Sequence, residues 1–143
     1  MYYLRTRGCF DSAHFLKNYD GKCRNIHGHR WRVVLEIMTK ELHGADNEQL
    51  NGMHVDFTKL KADLKTEVDK MDHCFILQKG SLKDATMEAL KEEEFRLMVV
   101  DFRPTAENLA KYFFDVMKTY GYEVYKVTVY ETPKNGVSYT ETF

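Results

Sequence analysis

The chain has 143 residues, 43% hydrophobic and 30% charged, with a formal net charge of −1. That balance suits one folded domain over 1–143 and excludes a disordered chain. No apolar run approaches the roughly 20 residues that span a bilayer, which argues against a membrane protein. Basic residues are dispersed rather than clustered, so no nucleic acid partner is expected, while a small anionic ligand stays open.

The N-terminus, Met1-Tyr2-Tyr3-Leu4-Arg5, lacks the charged and apolar regions of a signal peptide. Cys9, Cys23 and Cys74 form an odd set without a CxxC pair, so no disulfide framework is expected. Both features point to a reducing, cytoplasmic setting.

Tyr2 to Phe15 reads as a first strand, with Tyr2, Leu4, Thr6, Phe10, Ser12 and His14 on one face. Trp31, Val33, Leu35 and Ile37 alternate along a second strand, and His27 and His29 fall in phase with them. The 12 residues between His14 and His27 suit a loop joining antiparallel strands. Asp56 is an N-cap candidate for a helix carrying Phe57, Leu60, Leu64, Val68 and Met71. Ser81 to Glu94 reads as a short charged helix, and Phe95 to Phe102 as extended. Pro104 to Asn108 opens a second long helix, which Gly121 stops. Tyr125 to Glu131 alternates as a strand, and Pro133 to Gly136 turns into a short last one. The expected class is α+β, an antiparallel sheet with helices on one face.

Two histidines at i and i+2 of a strand share a face, and a third on the paired strand can complete a three-nitrogen set. His14, His27 and His29 therefore form a candidate metal site with one open position, the arrangement of catalytic rather than structural zinc. Imidazoles also suit iron, nickel and copper. Cys23, four residues before His27, is a candidate acid/base group, because a nearby cation favours the thiolate. Asp72-His73 is a solvated helix end or a carboxylate–imidazole pair that holds a tautomer. Glu131 ends its strand on the covered face, where a ligand with two adjacent N–H donors would suit its carboxylate. Thr105 and Glu107 are explained as an N-cap and a first-turn acid, with a ligand role possible besides.

Taken together, Phe10-x-Ser12-Ala13-His14, Cys23-x-x-x-His27-Gly28-His29, Asp56-Phe57, Asp72-His73, Pro104-Thr105-Ala106-Glu107-Asn108 and Glu131-Thr132 resemble the 6-pyruvoyl-tetrahydropterin synthase / 6-carboxy-tetrahydropterin synthase family. The pieces run in family order over nearly the whole chain. The resemblance implies a tunnelling (T-fold) domain: four antiparallel strands with two helices on one face. It implies a homohexamer, two stacked trimers, with active sites between subunits. It implies Zn2+ on His14, His27 and His29, and 7,8-dihydroneopterin triphosphate as substrate. Cys23, Asp72 and His73 would move protons, Glu131 would anchor the pterin, and Thr105 and Glu107 would lie near its pocket.

Three residues between Cys23 and His27 resemble the branch that makes 6-carboxy-5,6,7,8-tetrahydropterin with release of acetaldehyde and triphosphate, on the route to queuosine. The alternative is the 6-pyruvoyl product of the tetrahydrobiopterin branch. A different class of reading is a zinc-stabilised, non-catalytic oligomeric pterin-binding module. The stretch Gln78 to Arg96 is longer than in compact bacterial members, and no residue is assigned to the triphosphate.

Overall fold

Alternation sets the first hairpin. In the computed structural model, which describes residues 1–141, β1 (Tyr2–His14) and β2 (His27–Thr39) pair antiparallel from Tyr2↔Thr39 to His14↔His27. Thr142 and Phe143, the end of the expected 1–143 domain, lie outside the described residues. The period of two sends Phe10, Trp31, Val33, Leu35 and Ile37 to one face, where each is at most 1% exposed. Full burial of such a side chain contributes about 1.5–3 kcal/mol.

Two helices cover that face. α1 (Phe57–Asp69) is capped by Asp56, whose carboxylate accepts from the Thr58 N–H at 2.7 Å, and it buries Leu60, Leu64 and Val68. Gly8 lets it approach β1: a Cβ there would stand 3.2 Å from a Val68 methyl. α3 (Ala106–Lys118) buries Leu109, Ala110, Phe113, Phe114 and Met117. Gly121, at φ 89°, turns the chain out of it. β5 (Val124–Thr132) then pairs antiparallel with β2, and β6 (Asn135–Tyr139) with β5.

The sheet departs from the expected four antiparallel strands and two helices. Among the described residues it has six strands and is mixed, with a third helix; β3 (Cys74–Gln78) and β4 (Leu97–Val100) extend it in the order β4-β3-β1-β2-β5-β6. β3 runs parallel to β1 through Ser12↔Cys74, and β4 runs parallel to β3. Between them α2 (Asp84–Glu92) makes the crossover that parallel strands require. The added elements include the long Gln78 to Arg96 stretch. Cys74-Phe75-Ile76-Leu77 is a short continuous apolar run directly after a helix, and periodicity alone does not separate such a run from the helix's tail.

The other face of the sheet carries Arg5, Arg7, Arg32, Lys126 and Tyr130 around a depression of about 360 Å³. At its centre Glu36 is only 6% exposed and accepts from Arg5 at 2.7 Å and Lys126 at 2.9 Å. No helix described here is long and apolar enough to cross a membrane.

Candidate metal centre and active site

The end of the first hairpin gathers the three expected histidines. His14 faces His27 directly across the strand pair, and His29 lies opposite Ser12. The ligand nitrogens of His14, His27 and His29 all fall within 4.8 Å of one another. Three imidazoles this close can hold a metal ion. The Trp31 ring stands edge-on to both His14 and His29, closing the inner side of the cluster.

Backbone carbonyls fix two of the rings. His14 Nδ1 lies 2.7 Å from the Pro104 carbonyl, and His27 Nδ1 lies 2.6 Å from the Asn25 carbonyl. A carbonyl only accepts, so each Nδ1 carries the proton and donates. Each Nε2 is then a bare lone pair, yet the two Nε2 atoms stand 3.0 Å apart. Two acceptors aimed at each other repel unless a cation sits between them or one ring changes tautomer and gives up its carbonyl. His29 Nε2 is buried and has no hydrogen-bond partner among the described residues; Glu131 Oε1 lies 3.2 Å away but off the hydrogen-bond direction. These residues fit a divalent metal, with a carbonyl engaging the other ring nitrogen of His14 and of His27, as metal-binding imidazoles usually have.

Burial pushes the His14 pKa below the ordinary value, against the Pro104 hydrogen bond and with help from His27 and His29. Burial does the same to His29, opposed by Glu131 and aided by His27. Both shifts favour the neutral, ligating form of the ring.

Cys23 is half-buried on a single 3₁₀ turn (Lys22–Arg24), in the loop closed by the Leu16 N–H donating to the Cys23 carbonyl at 2.9 Å. Its thiol is not part of the ligand cluster, so the nitrogen set is not closed by sulfur. His43 is exposed and also stays outside.

Glu131 emerges where expected, at the end of β5, in a cleft of about 410 Å³ that it shares with His29, Arg32, Tyr130 and Thr132. Asp72 and His73 close the turn between α1 and β3. Asp72 Oδ1 accepts from the Asp11 N–H at 2.9 Å, and its Oδ2 lies 3.1 Å from His73 Nδ1. The Asp11 hydrogen bond holds Asp72 below the ordinary carboxylate range despite some burial, and His73 adds to it. His73 sits at φ 54°, a left-handed backbone that a histidine adopts at a cost of order 1 kcal/mol. Its ring and His29 line one open groove of about 430 Å³.

Thr105 caps α3, accepting from the Asn108 N–H at 3.2 Å, and Glu107 is exposed in the first turn. Neither lines the Glu131 cleft or the His73 groove. Sequence reasoning missed the carbonyls of Asn25 and Pro104, which carry no side-chain signal. It also missed Arg96, which braces the Asp72 turn by donating to the carbonyls of Asp72 and Asp69, each at 2.8 Å.

A family model described as 6-pyruvoyl tetrahydropterin synthase matches residues 3–142. The chain belongs to the 6-pyruvoyl tetrahydropterin synthase family. It is an enzyme of the pterin synthase kind. The chain is similar to the 6-carboxy-5,6,7,8-tetrahydropterin synthase of Haemophilus influenzae, at 31% identity over 99% of this chain and 100% of that one. The enzyme of the same name from Aquifex aeolicus is 35% identical, over 84% of this chain and 76% of its own. Among solved structures, Caenorhabditis elegans 6-pyruvoyl tetrahydropterin synthase superposes with TM-score 0.65 at 27% identity, covering 99% of this chain and 96% of that one.

Proposed function

We propose that the chain is a zinc-dependent lyase converting 7,8-dihydroneopterin triphosphate and one water to 6-carboxy-5,6,7,8-tetrahydropterin, with release of acetaldehyde and triphosphate. The observation that carries this reading is the set of three converging imidazoles, two with tautomers fixed for ligation, beside a carboxylate in a cleft. The likeness to relatives named for the carboxy product favours it over the pyruvoyl product.

A zinc ion held by His14, His27 and His29 would supply Lewis acidity toward hydroxyl oxygens, raising the acidity of the neighbouring C–H bonds. The chain's residues do the rest. Glu131 accepts from the paired N–H donors of the pterin ring, a bidentate match for a carboxylate. Cys23 takes and returns a proton on one side of the three-carbon side chain. His73, its Nδ1 held by Asp72, does so on the other, leaving Nε2 for exchange. Thr105 and Glu107 line neither cavity of one chain, so a contact of theirs with the pterin would come through the proposed assembly of subunits.

The proposed assembly is a cytoplasmic homohexamer of two stacked trimers. Two features support it: β4 and β6 are sheet edges without partners among the described residues, and the charged sheet face lies uncovered. The test is to incubate zinc-loaded protein with the triphosphate substrate, without added reductant, and identify products by mass spectrometry. The carboxy product with acetaldehyde supports the reading. A pyruvoyl product moves the chain to the other branch, and unchanged substrate rejects the substrate itself.

A further inference from the structure

His14 is the ligand most deeply placed, 2% exposed, and its orientation depends on a carbonyl that no side chain of β1 or β2 supplies. That carbonyl belongs to Pro104, in the turn that leads into α3. Proline has no N–H, so the turn cannot be held through Pro104 itself. It is held one residue earlier. The Arg103 carbonyl accepts twice, from the Thr105 N–H at 2.8 Å and from the Asn108 side-chain amide at 2.9 Å. The backbone N–H of Asn108 meanwhile donates to the Thr105 hydroxyl. Asn108 thus clamps both ends of the three-residue turn from inside the first turn of the helix.

Helix capping alone does not account for this. Thr105 already provides the cap, and an amide donor reaching back to Arg103 satisfies a carbonyl lying before the helix. What the second clamp fixes is the Arg103 carbonyl, the acceptor of the Thr105 N–H, and that N–H belongs to the peptide whose oxygen faces His14 Nδ1. With that plane fixed, the Nδ1–H tautomer is selected and Nε2 is left for the metal. We infer that Asn108 is a positioning residue for the metal centre, acting through the Arg103 and Pro104 peptides to hold His14 in its ligating tautomer and orientation. The inference rests on the metal reading of the three histidines and goes beyond it in assigning Asn108 a part.

The test compares N108L and N108D with the unaltered protein, measuring zinc affinity by competition with a chromophoric chelator and the visible bands of the cobalt-loaded protein. Asp keeps the size of Asn and suits the positive end of the helix, but it lacks the amide donor. Both variants should bind zinc several-fold more weakly, with the roughly 10- to 100-fold cost of losing a ligand's own hydrogen-bond partner as the ceiling. Their cobalt bands should shift. The variant V116A, changed elsewhere on α3, loses core packing without touching the turn and should keep its zinc affinity. If N108D binds zinc within twofold of the unaltered protein with identical cobalt bands, Asn108 only shapes the helix and the inference fails. If V116A loses affinity as much as N108D, the effect is general destabilisation and the inference fails too. If the unaltered protein binds no stoichiometric metal, the metal reading itself falls, a result distinct from both.

Discussion

The Nε2 atoms of His14 and His27 stand 3.0 Å apart while the Nδ1 of each ring is engaged by a backbone carbonyl. Two acceptor lone pairs at that distance repel unless a cation lies between them or one ring changes tautomer and gives up its carbonyl. Their juxtaposition ties the fold of the hairpin to the chemistry at its end.

The buried imidazoles make the metal-free protein sensitive to acid. His14 and His29 titrate below the ordinary histidine value in the folded state, chiefly through burial. Their contribution to stability is present above the ordinary histidine value. It is lost as pH falls below it, because the unfolded chain takes up protons first. Thermal melts in a metal chelator should show Tm dropping from pH 7 to pH 5, with a shallower drop in H14N.

Cys23 lies outside the nitrogen cluster, so removing its thiol should leave the metal in place. C23A is expected to retain one zinc per chain while kcat falls about 10²- to 10⁴-fold, the usual range for a lost acid/base group. Metal analysis and steady-state kinetics on one preparation check both halves.

Among the described residues, Glu131 offers the cleft's only carboxylate. E131Q keeps the shape but exchanges a charged acceptor for a neutral amide with one acceptor oxygen. Loss of such a charge-assisted contact is worth about 1.5–3 kcal/mol, so pterin binding should weaken about 10- to 100-fold with zinc retained. Titration with a dephosphorylated pterin, monitored by fluorescence, reads this directly.

Between α1 and α3, the Tyr120 hydroxyl donates to the buried Glu67 carboxylate at 2.7 Å, and that hydrogen bond pushes the tyrosine pKa up to about 12. A raised pKa means the folded state holds its proton longer than the unfolded chain does. Stability from this pair is therefore complete below the ordinary value of 10.0 and declines as pH climbs from there toward about 12. Denaturant melts of Y120F should start lower at neutral pH and lose less across that window.

The strands that build the site are legible because alternation over long runs is unambiguous: Phe10, Ser12 and His14 on one side, His27, His29 and Trp31 on the other. The Asp56 and Thr105 caps are equally plain, since each short oxygen side chain precedes an apolar helical repeat. The strand Cys74–Gln78 was hidden because its apolar run, buried at Ile76 on one face and Leu77 on the other, does not alternate. Its parallel pairing with β1 carries Asp72 and His73 to the edge of the histidine groove, a placement that no local pattern encodes. The carbonyls of Asn25 and Pro104 escaped for another reason: backbone atoms leave no trace in residue type.

The proposed catalysis requires an open metal centre of three imidazoles without sulfur. X-ray absorption at the zinc edge of the loaded protein tests that most directly. Nitrogen and oxygen scatterers near roughly 2.0–2.1 Å with an imidazole signature, and no sulfur shell, are the expected result. A sulfur scatterer at roughly 2.3 Å would make Cys23 a fourth ligand, close the site and contradict the catalytic reading.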